Sequence, residues 1–139
     1  MTTPTIKLTA EELKAELSGF CGTEAYHKFS VLFPKVVLTD GAKYLADSAG
    51  AYWLMDIIGS VYAAHPNRKQ FWEDGFAVWT LKVEGSQGIV TADDGNDNVI
   101  YTQEIPYTDF PFPEMKLYTE LGETTKDGLV MVIMLPRER

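Results

Sequence analysis

TDGAKYLADSAGAYWLMDIIGSVYAAHP, running from Thr39 to Pro66, reads as two short helices in tandem, the second almost wholly apolar. From Ala51 to Ala64 only Asp56 carries a charge. Leu54, Ile57, Ile58 and Val61 recur at helical spacing, while Tyr52, Trp53, Met55 and Tyr62 fill most of the remaining circumference. A helix that is apolar nearly all round is buried rather than laid on a surface. Its 14 residues fall short of the ~20 that a bilayer span requires, so it is expected to be a core helix with protein on several sides. Thr39 or Asp40 caps the preceding helix, which runs from Gly41 to about Ala49. Gly50 is the hinge between the two helices, and Pro66 stops the second.

On the N-terminal side, Met1–Leu8 reads as a loosely held lead-in. Thr9-Ala-Glu-Glu12 is a capping box, in which the threonine hydroxyl and the glutamate carboxylate each satisfy a free amide of the other residue. Leu13, Leu17 and Phe20 give that helix one narrow apolar stripe, so it should pack by one face. Gly22–Lys28 reads as a loop or a single helical turn. An extended piece is expected over Phe29–Phe33, and Val36-Val37-Leu38 is a short β-branched strand.

Beyond Pro66 the pattern changes. Asn67–Gln70 is basic and polar and reads as a turn. From Phe76 the apolar residues alternate, with Ala77, Trp79, Leu81 and Val83 on one face and Thr80 and Lys82 on the other, which is a strand. Strands at Ile89–Ala92 and Val99–Ile105 follow, joined by turns at Gly85–Gly88 and Asp93–Asn98. Three prolines between Pro106 and Pro113 bar that segment from the middle of a sheet. Met115–Thr119 reads as a short strand, Glu120–Asp127 as a polar loop, and Leu129–Leu135, apolar on both faces, as an interior strand covered by the core helix. Helices followed by strands define an α+β domain. The expected fold is a single unit over residues 1–139, with N-terminal helices packed on an antiparallel sheet of four to five strands.

With 139 residues, 45% of them hydrophobic, the chain can bury a core without staples. Met1–Ala10 lacks the basic start and apolar run of a secretory leader. One cysteine, Cys21, excludes an internal disulfide and fits a reducing cytoplasm. The net charge of −8 argues against direct binding of nucleic acid through its phosphates, and no membrane contact is expected. The charge is concentrated: between Glu84 and Asp109 there are six acids and no lysine or arginine. Solubility alone accounts for such a segment; the functional alternative is an acidic face for a basic partner protein, carried by Asp93, Asp94, Asp97, Glu104 and Asp109.

Tests for chemistry find little. Two histidines and one cysteine, none closely paired, do not make a structural zinc site, which takes four ligands. Asp93–Asn98 is oxygen-rich and Glu104 sits twelfth from Asp93, but Gly95 occupies a position where a calcium loop needs a ligand. No cofactor is expected. A Cys21–His27 nucleophile pair would need a third, orienting group, and no glycine-rich phosphate loop occurs. His65, at the end of the core helix, faces the negative end of its dipole, a structural role. Asp56 is either on the one strip of its helix that reaches water or a partly buried acid at a pocket formed with Tyr52, Trp53 and His27; the first reading is favoured. Trp53, Trp72 and Trp79 are read as core. Phe110 and Phe112, if exposed, would suit the seam of a homodimer.

Five stretches carry a resemblance: FCGTE at Phe20–Glu24, TDGAKYLA at Thr39–Ala46, AYWLMDII at Ala51–Ile58, YTDFP at Tyr107–Pro111 and MLPRE at Met134–Glu138. Together they make the chain similar to a family of small uncharacterised bacterial proteins often labelled plasmid-related proteins. Against that family the chain carries a longer loop, Glu120–Gly128, before its last strand. The resemblance implies a setting on mobile genetic elements and brings no catalytic residue or cofactor with it. The functional expectation is therefore a non-enzymatic accessory protein that binds a basic protein of the host or element through its acidic face. One version, by analogy, occupies a nucleic-acid site by imitating phosphates. The alternative is a small enzyme or ligand-binding domain with a pocket beside the core helix.

Overall fold

A computed structural model describes residues 9–139, so the lead-in at Met1–Leu8 lies outside the described residues. The fold is α+β. Among the described residues, four helices pack against a single sheet of seven strands. In chain order the elements are α1 (Ala10–Leu17), β1 (His27–Lys28), β2 (Val36–Leu38), α2 (Asp40–Ala49), α3 (Tyr52–Ala64), α4 (Arg68–Asp74), β3 (Phe76–Glu84), β4 (Gln87–Asp93), β5 (Val99–Ile105), β6 (Glu114–Thr124) and β7 (Gly128–Met134), closed by a 3₁₀ turn at Pro136–Glu138. The sheet order is β1-β2-β7-β6-β3-β4-β5.

Two expectations about the sheet are corrected. It has seven strands rather than four to five, and it is mixed: β2 runs parallel to β7, while every other pairing is antiparallel. The parallel pair arises because β2 feeds the helices before the chain returns through the meander to β7. Val36, Val37 and Leu38 therefore lie beside Met131, Val132 and Ile133, and all six are buried. Three local expectations also give way. Of Asn67–Gln70 only Asn67 lies in a turn; Arg68–Gln70 are the first residues of α4, which buries Phe71 and ends at Gly75 with φ 68°. The strand after the first loop is His27–Lys28, not Phe29–Phe33. Glu120–Asp127 is largely strand, because β6 continues to Thr124 in register with β7.

The tandem helices form as expected. The Thr9 capping box is present at α1, and Leu13 and Leu17 are its buried face. Thr39 caps α2 through the amide of Ala42, and Gly50 ends α2 in the left-handed region at φ 61°. Leu54, Met55, Ile58, Gly59, Val61 and Tyr62 of α3 are buried. Part of its remaining side is covered by the loop before β2, where the Phe33 and Phe29 rings lie against Gly59. Beneath α3, Thr119 of β6 bonds to both Tyr62 (2.6 Å) and Trp79 (3.0 Å). Trp79 is fully buried; Trp53 and Trp72 are half-buried, with the Trp72 indole donating to the Tyr62 carbonyl at 2.8 Å. The other face of the sheet carries only a small cluster, Val37, Val130, Val132 and Met134, packed with Tyr118. No helix among the described residues is long and apolar enough to cross a membrane.

Candidate functional site

The acidic residues singled out above map onto the β4–β5 hairpin, at the free edge of the sheet. β5 is a terminal strand with β4 on one side only, so its outward N–H and C=O groups find no strand partner among the described residues. The five acids do not form one patch. Asp93, Asp94 and Asp97 surround the turn between the strands, whereas Glu104 precedes Ile105 at the far end and Asp109 lies beyond it. Pairing runs from Asp93↔Val99 at the turn to Gly88↔Ile105 at the base, a span of about 17 Å at the usual rise of a strand. The edge thus carries two acidic poles rather than an evenly spaced track, an arrangement unlike a row of phosphates.

The turn is shaped by its own acids. Asp93 Oδ1 accepts from the amide of Gly95 (2.8 Å), and Asp94 accepts from the Asn96 amide (2.9 Å) and the Asn98 side chain (3.0 Å). The Asn98 amide group, with the Asn96 N–H behind it, holds the Asp94 carboxyl below its ordinary range. Asp97 sits at φ 64° and is exposed, and Glu104 and Asp109 are also exposed. Two of the three turn carboxylates therefore spend lone pairs on local backbone. No group of three His, Cys, Asp or Glu side chains converges as a metal site among the described residues.

The residues of the alternative pocket are not gathered in one cavity. Asp56 is exposed, on the strip of α3 that reaches water, and borders a shallow groove of about 360 Å³ together with Ser30, Leu32, Ile57 and Gln103. Trp53 packs on the core. Tyr52 and His27 belong to a polar track along α2. His27 Nε2 lies 2.7 Å from Asp40 Oδ1, whose other oxygen accepts from the Glu24 amide at 2.9 Å. Further along, Asp47 accepts from Tyr52 (2.5 Å) and Lys43 (2.9 Å). The Glu24 N–H and then His27 pull the Asp40 carboxyl down. Burial pushes Asp47 up, but the Tyr52 hydroxyl and Lys43 outweigh it and leave it lowered. Burial and then the Asp47 carboxylate push the Tyr52 phenol up to about 12. An imidazole–carboxylate pair can serve as a base. Cys21 is exposed and free.

One polar cluster escaped the sequence. Glu138, from the C-terminal turn, accepts from the Thr39 hydroxyl (2.5 Å) and the amides of Leu135 (2.9 Å) and Gly41 (2.9 Å), and so clamps the start of α2. The only hint was that each partner lay in one of the quoted stretches; a separation of 99 residues in sequence hides the contact. Phe110 is buried and stacks edge-on with half-buried Phe112 (5.7 Å), so Phe110 is not the exposed aromatic expected for the seam of a dimer.

These features describe an α+β protein with helices on one face of a mixed sheet and an acidic free edge. The chain belongs to DUF6876, a family of unknown function, which matches residues 11–139. No curated protein and no solved structure matches it.

Proposed function

We propose that this chain is a non-enzymatic accessory protein of a mobile genetic element that binds a basic protein of the host or element through the β4–β5 edge. The observation that carries the reading is the coincidence of charge and topology. The segment Glu84–Asp109 contributes −6 to a net charge of −8, and it contains β5, a terminal strand whose outer side has no strand partner among the described residues. A charged, unpaired edge repels its own kind and attracts an oppositely charged partner, chiefly by raising the rate of encounter. The mobile-element setting rests on the resemblance to plasmid-related proteins. The enzyme alternative has less support, because Asp56, Tyr52, Trp53 and His27 are dispersed.

The test is affinity capture with the wild-type chain and with the charge-reversed triple variant Asp93→Lys, Asp94→Lys, Asp97→Lys, after circular dichroism has shown both to be folded. The expected result is a basic partner held by the wild type, released as salt rises from about 50 to 500 mM, and absent from the variant. Partners retained equally by the variant would refute the acidic edge as the binding surface.

A further inference from the structure

A second feature lies away from the hairpin turn and is independent of the acidic-edge reading. A groove of about 310 Å³ opens where the end of α1, the segment entering β6 and the C-terminal turn meet. Buried Leu17 and Leu135 form its floor, and half-buried Phe112 and Met115 its walls. The groove is apolar in its depth, as small-molecule sites generally are. Its exposed lining residues include two cations, Lys14 and Arg137, against a single acid, Glu114. In a chain of net charge −8, two cations at the mouth of an apolar groove are a selective feature.

The walls are fixed before any ligand arrives. Arg137 donates through Nη1 to the Ser18 carbonyl at 3.0 Å, using one of its five donors and holding the guanidinium beside α1. The turn that bears it is clamped to α2 by Glu138. Phe112 is braced by its edge-on contact with Phe110. A preformed apolar slot with a planar cation at its mouth fits a molecule with an apolar body and one carboxylate, which a guanidinium can meet with paired N–H donors.

We propose that this groove binds a small amphipathic monocarboxylate, its chain on Leu17, Phe112, Met115 and Leu135 and its carboxylate on Arg137 and Lys14. At ~30 Å³ for each water-sized group the volume holds about ten non-hydrogen atoms, the size of octanoate.

Sodium octanoate is the probe, titrated into the full chain and followed by amide chemical shifts, with 1-octanol as the uncharged control. The expected result is saturable binding with Kd on the order of 100 µM, with shifts centred on Leu17–Ser18, Phe112–Met115 and Leu135–Arg137. Octanol should bind about tenfold more weakly. Arg137→Gln, on an exposed side chain, should weaken octanoate about tenfold and leave octanol unchanged, while Met115→Trp should block both. Four outcomes would overturn the proposal: no saturation by about 5 mM, equal binding of octanol and octanoate, free-state cross-peaks that place residues 1–8 in the groove, or shifts that follow protein concentration instead of octanoate, which would give the groove to a second copy.

Discussion

Thr119 is fully buried, and its hydroxyl serves two buried partners, the Tyr62 phenol at 2.6 Å and the Trp79 indole at 3.0 Å. Burial raises the Tyr62 phenol to about 12, so it stays protonated and hydrogen-bonded across the working pH range. Thr119→Val keeps the shape and removes the hydroxyl. Each buried polar group left without a partner costs about 1–3 kcal/mol, so the variant should lose roughly 2–4 kcal/mol of unfolding free energy in urea. A loss under about 0.5 kcal/mol would mean that the two aromatics find other partners. Asp40 gives a prediction in pH. Its folded carboxyl is held low, first by the Glu24 amide and then by His27. A lowered folded value means that the ionised form adds stability above the unfolded value near 3.9, and that this contribution is lost as pH falls through the folded value. Asp40→Asn should therefore be less stable than the wild type at pH 7, and the gap between them should close on acidification below about pH 4. Urea melts at pH 7 and pH 3 measure it; a gap that stays constant would show that the ionised Asp40 carboxylate and its bonds to the Glu24 amide and His27 are not the source.

At the level of elements, what the sequence revealed depended on whether the signal was local. The capping box at Thr9, the hinge at Gly50 and the apolar circumference of α3 are written in neighbouring residues, and all three form. α4 was hidden because it has no side-chain cap and follows Pro66 and Asn67, which read as a turn. β6 was cut short because Glu120, Gly122 and Glu123 look like loop residues. They are tolerated in a strand because this end of β6 is not buried in the core: Leu121 and Glu123 are exposed, and Glu120, Gly122 and Thr124 are half-buried. The parallel β2–β7 pair and the Glu138 clamp join residues about 95 or more positions apart, and no local pattern encodes them. The candidate acids were legible as composition; their division into two poles needed the strand register. One contact between elements is directly testable. A Cβ on Gly59 would stand 2.6 Å from Phe33 Cδ2 and 3.2 Å from Phe29 Cζ. Alanine is the better helix former by about 1 kcal/mol, yet overpacking costs about 1–3 kcal/mol. Gly59→Ala is thus expected to be neutral to about 2 kcal/mol less stable and to loosen the loop over α3. Limited proteolysis would show faster cleavage beside Val31 and Leu32, which are already 95% and 75% exposed. Unchanged cleavage would mean that the rings reseat without moving the backbone.

For the whole molecule, the question is what opposes self-association of a sheet with one face largely bare of helices and a β-rich terminal strand. β5 reads Val-Ile-Tyr-Thr-Gln-Glu-Ile, with neither lysine nor proline to discourage pairing, and Val99 is 62% exposed. Such an edge is a template for self-association unless something opposes it. If two copies paired β5 against β5 in antiparallel fashion, the Asp93–Asp97 turn of each would lie beside Glu104 and Asp109 of the other. The two acidic poles, about 17 Å apart on one chain, would then meet like charge at both ends. That repulsion acts over a Debye length of about 8 Å at physiological salt and only about 3 Å at 1 M. The wild type should accordingly sediment as a monomer at low and physiological salt. Replacing Asp93, Asp94 and Asp97 with asparagine and Glu104 with glutamine keeps the turn's hydrogen-bonding capacity and removes four negative charges, and that variant should self-associate at the same salt. Wild-type chain moved to about 1 M salt should drift in the same direction. A variant that stays monomeric at millimolar concentration would show that the edge is closed by its own geometry. The acids would then be left for a partner alone, and the case for a basic protein at this edge would rest on attraction and not on protection of the strand.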